Sequence, residues 1–169
     1  MSEPAARATD SRANILAFAH NPWDGPWMNR QQLLSRLAGY GWTVVYSTGP
    51  WKVWDRFNPD WQRAPFWGRM RGQDGVIVDD CPRWLMRWPG TPGWDRAALG
   101  LAARRWRRAM DRAKASIGYI FHPHFLPCAL SARVDHLVYH AFDLLPEPLD
   151  PQLNAQRAEC FGRAELLIG

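Results

Sequence analysis

Lysine is almost missing from this 169-residue chain. Of its 21 basic residues only Lys52 and Lys114 are lysine, and the rest are arginine. Cysteine is scarce as well. Cys81, Cys128 and Cys160 are an odd number at wide spacing with no C-x-x-C pair, which argues against a disulfide framework or a zinc ribbon and makes a reducing compartment the default. Each reads as a small buried residue rather than a nucleophile. No run approaches the ~18 apolar residues that a spanning helix needs. The first 13 residues are polar and Ala-rich with no apolar core, so they read as a disordered leader and not as a secretory signal. G-x-G-x-x-G and the Walker A pattern are both absent, which disfavours a dinucleotide site or a P-loop. H-E-x-x-H and paired Cys/His ligands are absent too, and no metal is expected.

What remains has the composition of a folded domain: 47% hydrophobic and 22% charged residues in a length suited to one domain. Two features are unusual. Eleven residues are tryptophan, and the formal net charge is +5. The charge is local. Arg96, Arg104, Arg105, Arg107, Arg108, Arg112 and Lys114 face only Asp95 and Asp111 in one segment, a surplus equal to that of the whole chain. A surplus confined to one helix points to a partner or anionic membrane surface more than to a nucleic-acid binder, and no DNA- or RNA-binding motif accompanies it.

Along the chain, short apolar runs alternate with helical periodicity. Strands are expected at Ile15–His20, Trp42–Ser47, Gly75–Asp80, Ile117–Phe121, His136–Phe142 and Glu165–Gly169. Helices are expected at Met28–Gly39, Trp94–Ala115, Leu126–Arg133 and Pro151–Ala164. The stretch from Thr48 to Asp74 keeps no period and reads as an ordered excursion with a short helical turn. This order predicts an α/β, Rossmann-like open sheet, mainly parallel, of five to six strands flanked by helices.

Chemically capable residues gather at the C-terminal ends of those strands, where an open α/β sheet forms its ligand crevice. They are His20 with Asn21, Asp79 with Asp80, His122 with His124, and His140 with Asp143. Gly25 precedes a helix whose first turn holds Asn29 and Arg30. Helix N-termini attract phosphate, whereas an arginine there opposes the dipole and calls for an anion or carboxylate partner. Arg30 also reads as a plain surface arginine. His122 and His124 read as hydrogen-bonding groups toward a sugar or phosphate, or as turn residues; His140 reads as a core histidine or a substrate contact. Asp79 and Asp143 suit sugar hydroxyls or turn capping, and Asp143 also suits a base. Most tryptophans pin long loops, with Trp23 and Trp27 the candidates for stacking on a ligand.

Four stretches resemble the N-terminal half of a retaining GT-B glycosyltransferase of the type that builds bacterial polysaccharides. They are Asn21-Pro22-Trp23-Asp24-Gly25 with Met28-Asn29-Arg30-Gln31-Gln32-Leu33-Leu34, then Val78-Asp79-Asp80-Cys81-Pro82-Arg83, then Tyr119-Ile120-Phe121-His122-Pro123, then Val138-Tyr139-His140-Ala141-Phe142-Asp143. The resemblance implies an acceptor-binding domain that uses a nucleotide-diphosphate sugar as donor substrate and no further cofactor. It implies Gly25 and Arg30 near the donor phosphates, and His122, His124 and Asp143 as catalytic residues near the transferred sugar. Trp23, Asn29, Asp79 and His140 would then contact substrate. The family's E-x-x-x-x-x-x-E stretch and donor-phosphate Arg/Lys belong to a C-terminal domain to which nothing here corresponds, so the chain alone is expected to be inactive. The implied setting is cytoplasmic, peripheral to the inner face of the plasma membrane through Arg104, Arg105, Arg107, Arg108 and Arg112. The competing expectation is a non-enzymatic α/β module that binds a protein or an anionic surface through the same arginines.

Overall fold

A computed structural model describes residues 12–141 and 151–168. Apart from its last two residues, the expected leader lies outside them, and so does Asp143. The elements run β1 (Asn14–Phe18), α1 (Asn29–Gly39), β2 (Thr43–Ser47), β3 (Trp51–Lys52), a 3₁₀ turn (Val53–Phe57), α2 (Pro59–Arg63), β4 (Arg69–Gln73) and β5 (Val76–Asp80). They continue with β6 (Met86–Arg87), α3 (Pro92–Ala109), β7 (Ser116–Ile120), a 3₁₀ turn (Pro123–Phe125), α4 (Leu126–Ala132), β8 (His136–His140), α5 (Pro151–Arg163) and β9 (Leu166–Ile168).

Seven strands form one sheet in the order β4-β5-β2-β1-β7-β8-β9, and β3 pairs with β6 in a separate two-stranded ribbon. All neighbours in the large sheet are parallel except β4 with β5. The fold class is therefore as expected, with one strand more. Numbered among themselves, the six parallel strands lie in the order 3-2-1-4-5-6, that of a doubly wound nucleotide-binding sheet. The order reverses between β1 and β7.

The extra strand is β4, whose Arg-Met-Arg-Gly-Gln has no β-branched residue. Its signal was the Asp74-Gly75 dipeptide, which turns with φ of 52° and 77° at its two positions. Two successive positive φ values match the twist of a tight hairpin, and Asp-Gly supplies them cheaply. Arg69 and Arg71 then reach across to Asp80 at 2.7 and 3.0 Å.

Alternate residues of β1 serve the two faces of the sheet. Ile15 and Ala17, with Ala19 just past the strand, pack with Leu34, Val44, Tyr46 and Val76, beneath α1. Leu16 and Phe18 pack with Leu99, Ala102, Trp106, Leu126 and Ala129, beneath α3 and α4. Such a strand is buried on both sides, which is why it reads as a continuous apolar run.

Helix α3 starts earlier and stops sooner than its periodicity suggests. Pro92 takes the first helical position, where its missing N–H costs nothing. At the far end the side chain of Asn14, 1% exposed, captures the chain. Its Nδ2 donates to the carbonyls of Asp111 and Lys114 (2.8 and 3.2 Å), and its Oδ1 accepts from the Asp111 amide (2.9 Å). The helix therefore ends at Ala109, and Arg112 does not continue its arginine face.

One buried carboxylate holds α3 to the sheet. The Asp79 side chain is 1% exposed. It accepts from Trp106 Nε1 (2.7 Å), Ser47 Oγ (3.1 Å) and Arg105 Nη2 (2.8 Å). Trp106 is itself fully buried and meets Phe18 edge-on at 4.8 Å. Replacing Trp106 with Phe keeps most of the packing but withdraws a donor from a buried charge. We expect a loss of about 1–3 kcal/mol, read as a lower denaturant midpoint at unchanged slope.

Candidate functional site

The reversal of strand order leaves a crevice at the C-terminal ends of β1 and β7. Pairing continues past both strands, with the Phe121 amide donating to the Phe18 carbonyl at 3.1 Å. The register Phe18↔Ile120, carried on by two residues, brings His20 beside His122. Their rings lie 4.5 Å apart, and the His124 ring is 5.4 Å from that of His20. Sequence order could name these groups but not join them, because neighbours in this crevice are a hundred residues apart along the chain.

Two clefts open on either side of the crevice. The larger, about 540 Å³, is lined by His20, Tyr46, Trp51, Lys52, Asp55, Asp80, His124 and Phe125 among others. The Lys52 ammonium approaches His124 Nδ1 at 2.9 Å. An ammonium can only donate, so Nδ1 accepts and the ring proton sits on Nε2. The same holds for His122, whose Nδ1 accepts from the His124 amide at 3.3 Å. Burial pushes His124 down to about 3, helped by the positive surroundings of Lys52, His20, Arg87 and His122. Burial likewise lowers Lys52 below its ordinary range.

The smaller cleft, about 370 Å³, is lined by Trp27, Met28, Asn29, Arg30, Leu33, Phe121 and His140. It lies at the N-terminus of α1, whose first turn has no acidic residue. Gln31, 0% exposed, fixes the approach to this helix: Oε1 accepts from the Met28 amide (3.1 Å) and Nε2 donates to the Pro26 carbonyl (3.3 Å). The guanidinium of Arg30 sits 5.7 Å above the Phe121 ring. His140 shares a 3.0 Å hydrogen bond with the Tyr119 hydroxyl, and burial together with Arg30 holds it below its usual range. Asn29, Arg30 and His140 thus meet in one place, as a ligand contact would need.

Other expected contacts take different work. Trp23 is 2% exposed, donates to Asp74 (3.3 Å) and packs against Tyr46 and Trp27. It pins the first loop and offers a ligand little surface; Trp27, 52% exposed, is the better stacking face. Gly25 lines neither cleft. It turns the loop with its amide on the Pro22 carbonyl (3.1 Å), and an added Cβ would stand 3.1 Å from that oxygen. Asp79 is spent on Trp106, Ser47 and Arg105, so it is a structural anchor and not a sugar contact. Arg105 leaves the proposed basic surface for the same reason. Arg104, Arg107, Arg108 and Arg112 gather instead with Lys114 and Arg133 around a cleft of about 440 Å³ beside Asn14 and Ser116, at the opposite end of the sheet from the crevice.

No motif or periodicity marks Lys52 in the sequence. The only signal was its rarity, and the ribbon of β3 with β6 that carries it is two residues long. Compared with family models, curated proteins and solved structures, the chain matches none. Among the described residues no cluster of His, Cys, Asp or Glu is arranged to hold a metal ion, and no helix is long and apolar enough to cross a membrane.

A neutral half-buried histidine makes stability depend on pH. Between about pH 3 and 6.5 the unfolded chain binds a proton at His124 that the folded chain refuses, so stability falls as pH falls through this window, by up to about 1.4 kcal/mol per unit. His124→Gln should flatten that part of the profile. Thermal melts of both proteins at pH 7 and pH 4.5 would show a smaller drop for the variant; equal drops would mean that His124 is not held neutral.

Proposed function

We propose that this chain is the acceptor-side domain of a glycosyltransferase that takes its sugar from a nucleotide-diphosphate sugar. The observation that carries this reading is the crevice at the reversal of a 3-2-1-4-5-6 sheet, with imidazoles from the ends of β1, β7 and β8 around it. Crevices at this position are where doubly wound sheets hold nucleotides and sugars. The two clefts divide the labour. The smaller, with Arg30, Asn29, His140 and the α1 N-terminus, faces the donor's phosphates. The larger, with His20, His124 and Lys52, receives the acceptor.

His122 carries its ring proton on Nε2 and sits at the junction, placed to hydrogen-bond the transferred sugar. His124 is placed against the acceptor side, beneath Lys52. Transfer requires stabilising the positive charge that develops on the sugar and the negative charge on the leaving diphosphate. The residues named here supply donors for the diphosphate and hydroxyl contacts for the sugar. A second α/β domain, contributed by further chain or a subunit, would close over the crevice and hold the nucleotide.

The competing reading is a binding module without chemistry. It is favoured by the arginine-lined cleft beside Asn14 and Ser116, which faces away from the crevice and suits an anionic partner or lipid surface. One pair of assays separates the two. The isolated chain should bind saccharides on a glycan array and show no turnover of UDP- or GDP-sugars. Robust turnover by the chain alone would overturn the division into two domains. Absence of saccharide binding, together with sedimentation on anionic liposomes that is lost when Arg104, Arg107, Arg108 and Arg112 become glutamine, would favour the module.

A further inference from the structure

The walls of the larger cleft carry five aspartates, and each already has a partner. Asp24 pairs with Arg71 (2.5 Å), Asp80 with Arg69 and Arg71, and Asp60 with Arg63 (3.5 Å). Asp79 is buried against Arg105 and Trp106. Asp55 accepts from the Lys52 amide at 2.6 Å, capping its own 3₁₀ turn. Once these pairs are formed, one cation in the cleft, Lys52, is left between an imidazole and the Trp54 ring, whose centroid lies 5.6 Å from Nζ. Among the described residues no carboxylate lies within ion-pair distance of Lys52 Nζ, and its close polar contact is a histidine nitrogen at 2.9 Å.

This is an unusual place to put an ammonium. Lys52 is half-buried; taking a cation partly out of water costs free energy unless an anion or strong acceptor compensates it, and an imidazole nitrogen with one aromatic face compensates it only in part. Asp55 and Asp95 act on the ammonium only from beyond ion-pair distance, while the imidazoles beside it add donors. His124 and His122 both spend Nδ1 as an acceptor and therefore carry their proton on Nε2. Arg87 lies close enough to depress His124 further, although its own charge is matched by Asp95 at 2.8 Å. The choice of residue fits as well. This chain uses arginine almost everywhere, and arginine's planar fork suits the bidentate pairs seen with Asp24 and Asp95. A lysine is a compact point charge with three rotatable donors, suited to an oxyanion that arrives and leaves.

We propose that Lys52, with His20 and His124 from the crevice, binds an oxyanion carried by the acceptor: a phosphate ester or a sugar carboxylate. That the oxyanion belongs to an acceptor rests on the glycosyltransferase reading; the oxyanion site itself stands on the cleft. Acceptors would therefore be charged glycans or phosphate-linked ones, and neutral glycans would bind the cleft less well.

Calorimetric titration of the chain with inorganic phosphate, and separately with glucuronate, tests this and tells the two anions apart. Saturable binding of at least one is expected, weakened ~10-fold or more in Lys52→Met and retained in Lys52→Arg. A variant with Arg104, Arg107, Arg108 and Arg112 changed to glutamine should bind like wild type. Melting temperatures confirm that each variant is folded. No saturable binding, equal binding by Lys52→Met, or loss only in the four-arginine variant would overturn the proposal. Anion binding as expected in a chain that captures no glycan would sink the glycosyltransferase reading and leave this site standing. Binding of neutral glycans without binding of either anion would do the reverse.

Discussion

The buried carboxylate of Asp79 is the constraint on which the rest of the molecule depends. It sits near the end of β5, where the chain must leave one half of the sheet and begin the other. Trp106 and Arg105 of α3 and Ser47 of β2 all converge on it. A carboxylate in such surroundings is tolerable only with hydrogen-bond donors around it, and here three supply them. The result locks α3 across the face opposite α1. From there the chain re-enters beside β1 as β7, and that re-entry creates the reversal of strand order. At the other end of α3, Asn14 does the matching work by stopping the helix so that β7 starts in register with β1. Crevice and fold are thus set by two buried polar side chains rather than by apolar packing alone.

The chemistry of the crevice follows from what those anchors consume. Aspartates along the larger cleft are paired with arginines or with backbone, and His122 and His124 have Nδ1 engaged as acceptors. What the cleft presents is mostly N–H donors around a lysine. The smaller cleft repeats the theme with Arg30, His140 and the amide end of α1. These donors are what the proposed phosphate and oxyanion contacts rest on. Of the α3 arginines, Arg104, Arg107 and Arg108 face the other end of the sheet.

Much of the fold was legible because its signals are local. Buried parallel strands such as Ile15–Phe18 read as apolar runs, and α1, α4 and α5 appear within a residue or two of where their periodicity and capping put them. Local signals failed where tertiary contacts decide. The end of α3 is set by Asn14, almost a hundred residues earlier, and β4 is a polar strand recruited by an Asp-Gly turn and by Asp80. The site followed the same division. That His20 and His122 close their strands was readable, whereas His140 was expected inside a strand that in fact ends on it; that His20 and His122 touch depends on strand order. Asp79 looked like a sugar ligand because exposed and buried aspartates are identical in sequence, and its partners are 26, 27 and 32 residues away. Lys52 lies in a stretch with no period, so only the folded chain gives it neighbours.

The five histidines offer a direct measurement of where ligands enter. His20, His122, His124 and His140 stand at the crevice end of the sheet, whereas His136 begins β8 at the far end and is held by Glu165 at 2.7 Å. Imidazole ¹⁵N and ¹H shifts can be followed while methyl pyranosides and glucuronate are added. The account predicts concentration-dependent shifts at the four crevice histidines, with His136 unmoved. Shifts at His136 alone, or at none of the five under saccharide concentrations that saturate a glycan array, would contradict it.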